Sequence, residues 1–117
     1  MDIIRNDQRI FFPLDIYRYD TFFKRFKGLM FRLKPITKEG ILLIPCNSIH
    51  MFFMFFSIDV VFLNKDNSVI KIYPYVKPWR VIPPVKGANA AIELPKGTID
   101  TYNITIGDRF IIEKSKN

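Results

Sequence analysis

The chain has 117 residues, 49% of them apolar, with 18 Lys and Arg against 11 Asp and Glu. That length suits a single domain over residues 1–117, and the apolar fraction can supply a core without disulfides or a structural metal. Cys46 is the one cysteine, which excludes an intrachain disulfide, argues against a zinc site within one chain, and suits a reducing, cytoplasmic compartment.

Residues 3–5 and 9–12 flank Asn6-Asp7 and read as a short hairpin. Residues 14–19 alternate apolar and polar side chains, the pattern of a half-exposed strand. Asp20 or Thr21 can cap a short helix, because a side-chain oxygen accepts from the first free backbone N–H groups. Phe22, Phe23, Phe26, Leu29 and Met30 then recur at helical spacing, with Lys24, Arg25 and Lys27 on the other face. Gly28 weakens that helix and Pro35 stops it.

From Ile41 onward the pattern is β. Residues 41–44 read as a buried strand, 48–56 as an aromatic strand covered on both faces, and 58–63 as another. Asp66-Asn67 turns into a return arm over 69–73. Pro74, Pro78, Pro83 and Pro84 interrupt the chain up to Val85. Residues 90–94 form a further strand, 98–103 a helical turn, and Gly107-Asp108 turns into a last strand over 109–113. Residues 114–117 read as a frayed tail. The sum is a mainly β, α+β domain with one short helix: a small β-barrel or sandwich-like domain with the helix packed against it.

Several function classes fall away. The first seven residues lack the apolar run of an export signal. Residues 41–63 are apolar enough to suggest a membrane span, but Pro45, Asn47, Ser48, His50, Ser57 and Asp59 interrupt them. A span needs about 20 largely apolar residues, and a buried charge there is expensive. No P-loop or dinucleotide fingerprint is present. Lys24, Arg25, Lys27, Arg32, Lys34 and Lys38 could track a nucleic-acid backbone, yet a solvated helix face explains them as well. Nucleic acid is therefore a disfavoured partner. The net charge of +7 permits attraction to anionic surfaces without demonstrating it.

The densest chemistry lies in residues 46–59. Cys46, His50, Met54, Met30 and Met51 offer soft donors of the kind copper(I) takes. Met beside Phe is more often core filling, and no metal or other cofactor is expected. Cys46 with His50 has the composition of a thiol nucleophile and its base, but no protease signature surrounds it, so the reading leans away from an enzyme. Arg32, His50 and Asp59, with Glu93, offer a polar site: Arg and Asp can clamp a small polar or anionic ligand, and His50 can move protons near neutral pH. The competing reading pairs Arg32 with Asp59 structurally. If the strand ran straight, Asp59 would face away from Met54, unless a break at Ser57 re-aimed it. The proline-rich stretch over 73–85 carries Tyr75, Trp79 and Arg80, residue types that anchor protein partners. A ligand- or partner-binding domain is the best reading, and an enzyme using Arg32, His50 and Asp59 the alternative.

The run Gly28-Leu29-Met30-Phe31-Arg32, the block from His50 to Asp59, and the later Ala91-Ile92-Glu93-Leu94-Pro95-Lys96-Gly97 and Gly107-Asp108 together resemble the family called domain of unknown function 192. The resemblance covers about residues 19–111. Its motif positions here are Gly28, Met30, Arg32, His50, Met54, Asp59, Glu93, Gly97, Gly107 and Asp108. Met51, Phe55 and Ser57 depart from the pattern and make that edge more apolar. The resemblance implies a compact β-rich domain with a helix, and implies no activity. The candidate ligand residues are thus Arg32, His50, Met54, Asp59 and Glu93.

Overall fold

The computed structural model describes every residue except Phe22, Phe23, Arg25, Phe26 and residues 113–117. Local turn chemistry sets the first element pair. Asn6 and Asp7 take positive φ of 51° and 62°, which Asn and Asp tolerate and a two-residue hairpin requires. They join β1 (Asp2–Arg5) to β2 (Gln8–Phe11). The half-exposed strand follows as β3 (Asp15–Tyr19). Thr21 Oγ1 accepts from Lys24 N at 3.2 Å, the expected cap, and Gly28 N donates to Lys24 O at 2.8 Å. The apolar face predicted for that helix at Phe22, Phe23 and Phe26 lies outside the described residues, as does the tail at 114–117.

The centre is a five-stranded sheet in the order β3, β4 (Glu39–Leu43), β9 (Ala90–Pro95), β6 (Ile58–Leu63), β7 (Val69–Val76). Only β3 and β4 run parallel. Strands β6 and β9 are buried at every position, because both faces of the sheet are covered. On one face Leu42, Val61, Leu63, Ile92 and Leu94 pack with Ile3, Phe12, Ile99 and Phe110. That layer comes from the three-stranded sheet of β10 (Arg109–Ile111), β1 and β2, and from helix α1 (Thr98–Tyr102). On the other face Ile41, Leu43, Ile58, Val60 and Phe62 pack with Leu29, Ile36, Met51, Met54 and Phe56. A two-stranded unit of β5 (Ile49–His50) and β8 (Val81–Ile82) belongs to this second layer.

The α+β class and the helical turn at α1 hold. The barrel does not: the three sheets are not closed on one another. The aromatic strand expected over residues 48–56 shrinks to β5. After His50 the chain turns, with Met54 N donating to Met51 O and Phe53 at φ 59°. Met51, Met54 and Phe56 point into the core, while Phe52, Phe53 and Phe55 are exposed. Pattern alone read those phenylalanines as core because nothing local distinguishes a buried from an exposed aromatic. Strand β8, hidden among the prolines, was not foreseen. Among the described residues no helix is long and apolar enough to cross a membrane.

Candidate functional site

Asp59 and Glu93 are buried carboxylates on paired strands at adjacent register: Asp59 opposes Leu94, and Val60 opposes Glu93. Alternation therefore sends them to opposite faces of the sheet. Asp59 faces α1. Its Oδ2 accepts from Ile99 N at 2.8 Å, and its Oδ1 accepts from Tyr75 N at 3.0 Å. Between Ile58 and Val60 the β6–β7 register shifts, leaving Pro74 and Tyr75 opposite Asp59. Pro74 has no N–H, and Tyr75 stands at φ 55°, so the bulge leaves Tyr75 N–H outside the ladder. The carboxylate satisfies it. The first turn of α1 has no cap of its own from Gly97, and Asp59 supplies one from across the chain. Asp59 ties three elements together and faces away from Met54, although the chain between Met51 and Ser57 turns rather than running on as a straight strand.

The pairing of Arg32 with Asp59 is not formed. Arg32 Nη1 donates to Glu39 Oε1 at 2.8 Å and Nη2 to Tyr19 Oη at 3.3 Å. The set Arg32, His50 and Asp59 does not converge, because Asp59's two oxygens are committed on the other face.

Glu93 is different. It is 3% exposed, and its Oε1 has no hydrogen-bond partner. Most buried polar atoms in native folds are paired, so an orphan needs an explanation. Burial pushes the Glu93 carboxyl up to about 7, against the opposing pull of the Arg32 charge. Glu93 lines a cavity of about 40 Å³. Met30, Cys46, His50 and Met54 share its lining, and the exposed side chains of Lys27 and Ser48 stand at its rim. That volume holds on the order of three waters or one small head group. Cys46 Sγ donates to Ser48 O at 3.0 Å, and His50 Nδ1 accepts from Phe52 N at 3.3 Å.

Of the candidate ligand residues, the structure thus gathers His50, Met54 and Glu93 at one cavity. Arg32 acts on it through charge, and Asp59 stands apart. Met30, one of the soft donors named from the sequence, and Gly28, read there as weakening the helix, line the same cavity. The candidate partner residues also divide. Tyr75 Oη donates to Asp100 Oδ2 at 2.8 Å on α1, while Trp79 packs on Phe52 and Phe53. Two motif positions are plainly structural. Gly107 turns at φ 99°, and Asp108 takes a two-pronged contact from Arg5, Nε at 3.0 Å and Nη2 at 2.7 Å. A larger cavity of about 250 Å³, not foreseen, lies among Leu14, Ile16, Leu42, Ile111 and Ile112. Among the described residues, no unpaired buried polar atom faces it.

A mixed sheet covered on both faces, with a small cavity beside one orphaned carboxylate, defines a small α+β domain with one polar pocket. The chain belongs to the family of domain of unknown function 192, described as Uncharacterized ACR, whose model matches residues 3–112; its function is uncharacterised. A UPF0127 protein of Thermococcus sibiricus is 45% identical over 95 residues, covering 76% of this chain and 60% of that protein. The chain therefore spans 60% of that relative's length. A UPF0127 protein of Pyrococcus horikoshii is 33% identical over 110 residues, 92% of this chain and 95% of that one. The crystal structure of a protein of unknown function from Novosphingobium aromaticivorans superposes with a TM-score of 0.75 at 24% identity, over 92% of this chain and 80% of that one; it shows the fold alone.

Proposed function

We propose that this domain binds a small polar ligand through the Glu93 cavity and does no chemistry on it. The observation that carries the reading is the unpaired, buried Oε1 of Glu93 on the cavity wall. A buried acceptor without a donor costs stability unless something supplies the donor. The volume admits a head group rather than a whole cofactor, and an acceptor at its wall suits a hydrogen-bond donor or a cation better than an anion. Binding is favoured over catalysis because Cys46 and His50, the two side chains with nucleophile or base chemistry, are engaged with local backbone. A reducing, cytoplasmic setting goes with this reading, since the lone Cys46 has no partner thiol in the chain.

Methylammonium is the simplest probe. Titrated into the full chain and followed by amide NMR shifts, it is expected to move Gly28, His50, Met54 and Glu93. The ionised carboxylate is the binding form, so apparent affinity falls about tenfold per pH unit below the Glu93 value of about 7. Shifts that are absent, or that persist unchanged in Glu93→Gln, would overturn the reading.

A further inference from the structure

Beside the cavity stands a surface that the fold does not need for its core. Phe31, Phe52, Phe53 and Trp79 are 58%, 42%, 43% and 55% exposed. They are contiguous: Phe31 stacks on Phe53 with centroids 5.1 Å apart, Phe53 meets Trp79 edge-on at 5.1 Å, and Trp79 lies 6.2 Å from Phe52. Leu33 is 80% exposed in the same segment as Phe31. A contiguous exposed apolar patch marks an interaction surface, whereas single exposed apolar residues do not.

The backbone holds these rings outward at a cost. Phe31, Phe53 and Trp79 take φ of 67°, 59° and 68°, a region that bulky L residues avoid. Elsewhere in the described chain, the other non-glycine positions of that kind are Asn, Asp and Tyr75, the last held by Asp59. Two backbone bonds maintain the arrangement: Phe31 N donates to Phe53 O at 2.9 Å, and Trp79 N to Met51 O at 2.8 Å. Three separate turns thus present aromatic side chains at one tip, and strain of this kind concentrates where a surface has work to perform.

Charge identifies the partner. The rings of the patch come from residues 27–38, 40–58 and 74–89. These segments hold seven of the 18 basic residues and none of the 11 acidic ones, and Glu39 between the first two is paired with Arg32. An apolar aromatic tip carried by segments whose charge is basic complements a surface that is anionic outside and apolar beneath. We propose that this tip docks on an anionic lipid bilayer, with Phe31, Phe52, Phe53 and Trp79 at the headgroup level and neighbouring Lys34 and Arg80 on the lipid phosphates and carboxylates. Single-stranded nucleic acid fits less well. Stacking needs open ring faces, and here Phe31 and Phe53 cover one another, while aliphatic Leu33 offers none. The proposal rests on the surface alone and is independent of what enters the Glu93 cavity.

Trp79 is the only tryptophan, so its emission reports on the tip directly. The full chain is mixed with vesicles of phosphatidylcholine, or of phosphatidylcholine with phosphatidylserine. The anionic vesicles are expected to sediment the protein, to shift Trp79 emission to the blue, and to quench it when the lipid chains are brominated. Lys34→Glu with Arg80→Glu should weaken partitioning about tenfold or more. Phe31→Ser should weaken it while Ile106→Ala, an exposed apolar residue at another turn, should not. All these positions are exposed, and circular dichroism checks that each variant is folded. Absence of partitioning to anionic vesicles would overturn the proposal. So would a Trp79 shift produced by a single-stranded oligonucleotide, or by self-association on concentration, but not by vesicles.

Discussion

Replacing Glu93 by Gln removes the ionisable proton and changes little else in volume. In the folded protein burial lifts this carboxyl from 4.5 to about 7, so the native state holds a proton that the unfolded chain gives up. Stability must then fall as pH rises, because over that window the folded form binds more protons than the unfolded one. The contribution is fully present below about pH 4.5, decays between there and about pH 7, and levels off above. Each unit of displacement is worth about 1.36 kcal/mol, so the whole loss is about 3 kcal/mol. Lys27, Cys46 and His50 line the same cavity, and Arg32 acts on it; subtracting the variant's profile removes what those groups contribute equally to both proteins. The measurement is urea unfolding of both from about pH 5 to about pH 8.5. Glu93→Gln should gain relative stability steadily up to about pH 7 and hold a constant advantage beyond. A difference that is flat with pH, or that grows toward acid, would refute the reasoning, because the carboxyl would then not be held protonated by burial.

Two further substitutions test the frame around the site. Asp59→Asn exchanges one acceptor oxygen for a donor that faces a backbone N–H, at Tyr75 or Ile99; the expected loss is about 2 to 4 kcal/mol in urea unfolding. Unchanged stability would remove its structural role. Gly40→Ala places a Cβ 2.7 Å from Ile16 Cδ1, 2.9 Å from Leu94 Cδ2 and 3.2 Å from the backbone oxygen of Glu93. Overpacking of this kind costs about 1 to 3 kcal/mol, and a thermal midpoint equal to or above that of the parent would show that β3 and β4 are not so closely packed.

What could be read from the sequence follows the range of the interactions involved. Asn6-Asp7 and Asp66-Asn67 announce their turns, because a left-handed residue and a side-chain oxygen act within a few positions; Asn64 Oδ1, for instance, accepts from both Asp66 N and Ser68 N. Strand β6 was legible because the β-branched and aromatic run Val60–Leu63 suits a strand covered on both faces, with Asp59 its one polar residue. Residues 51–56 were not. Their phenylalanines and methionines fit a strand, yet a turn at Phe53 sends three rings to solvent. Asp59 was recognised as a site-like residue, but its partners lie 16 and 40 residues away, and only the bulge at Tyr75 and the position of α1 make it structural. Glu93 was included from its motif; its place beside His50 and Met54 depends on the β9–β6 register, which no local pattern encodes.

The distribution of satisfied and unsatisfied groups divides the molecule. On the face of the sheet that carries α1 and the three-stranded sheet, the buried acids are fully used: Asp59 by two backbone N–H groups, Asp108 by Arg5 and by Thr105 N at 3.1 Å. The left-handed Tyr75 on that face is held by its bond to Asp59. On the opposite face Glu93 is buried without a donor for Oε1, and three aromatic residues stand in left-handed backbone, each costing about 1 to 3 kcal/mol. A leucine or glutamine at 93 and glycines at 31, 53 and 79 would serve stability better. His50 joins the two departures, since it lines the Glu93 cavity and its ring lies 5.2 Å from that of Phe52. Departures from local stability that cluster in one place are the signature of a functional surface. The covered, satisfied face holds the fold, and the face bearing Glu93 and Trp79 is where binding is to be sought.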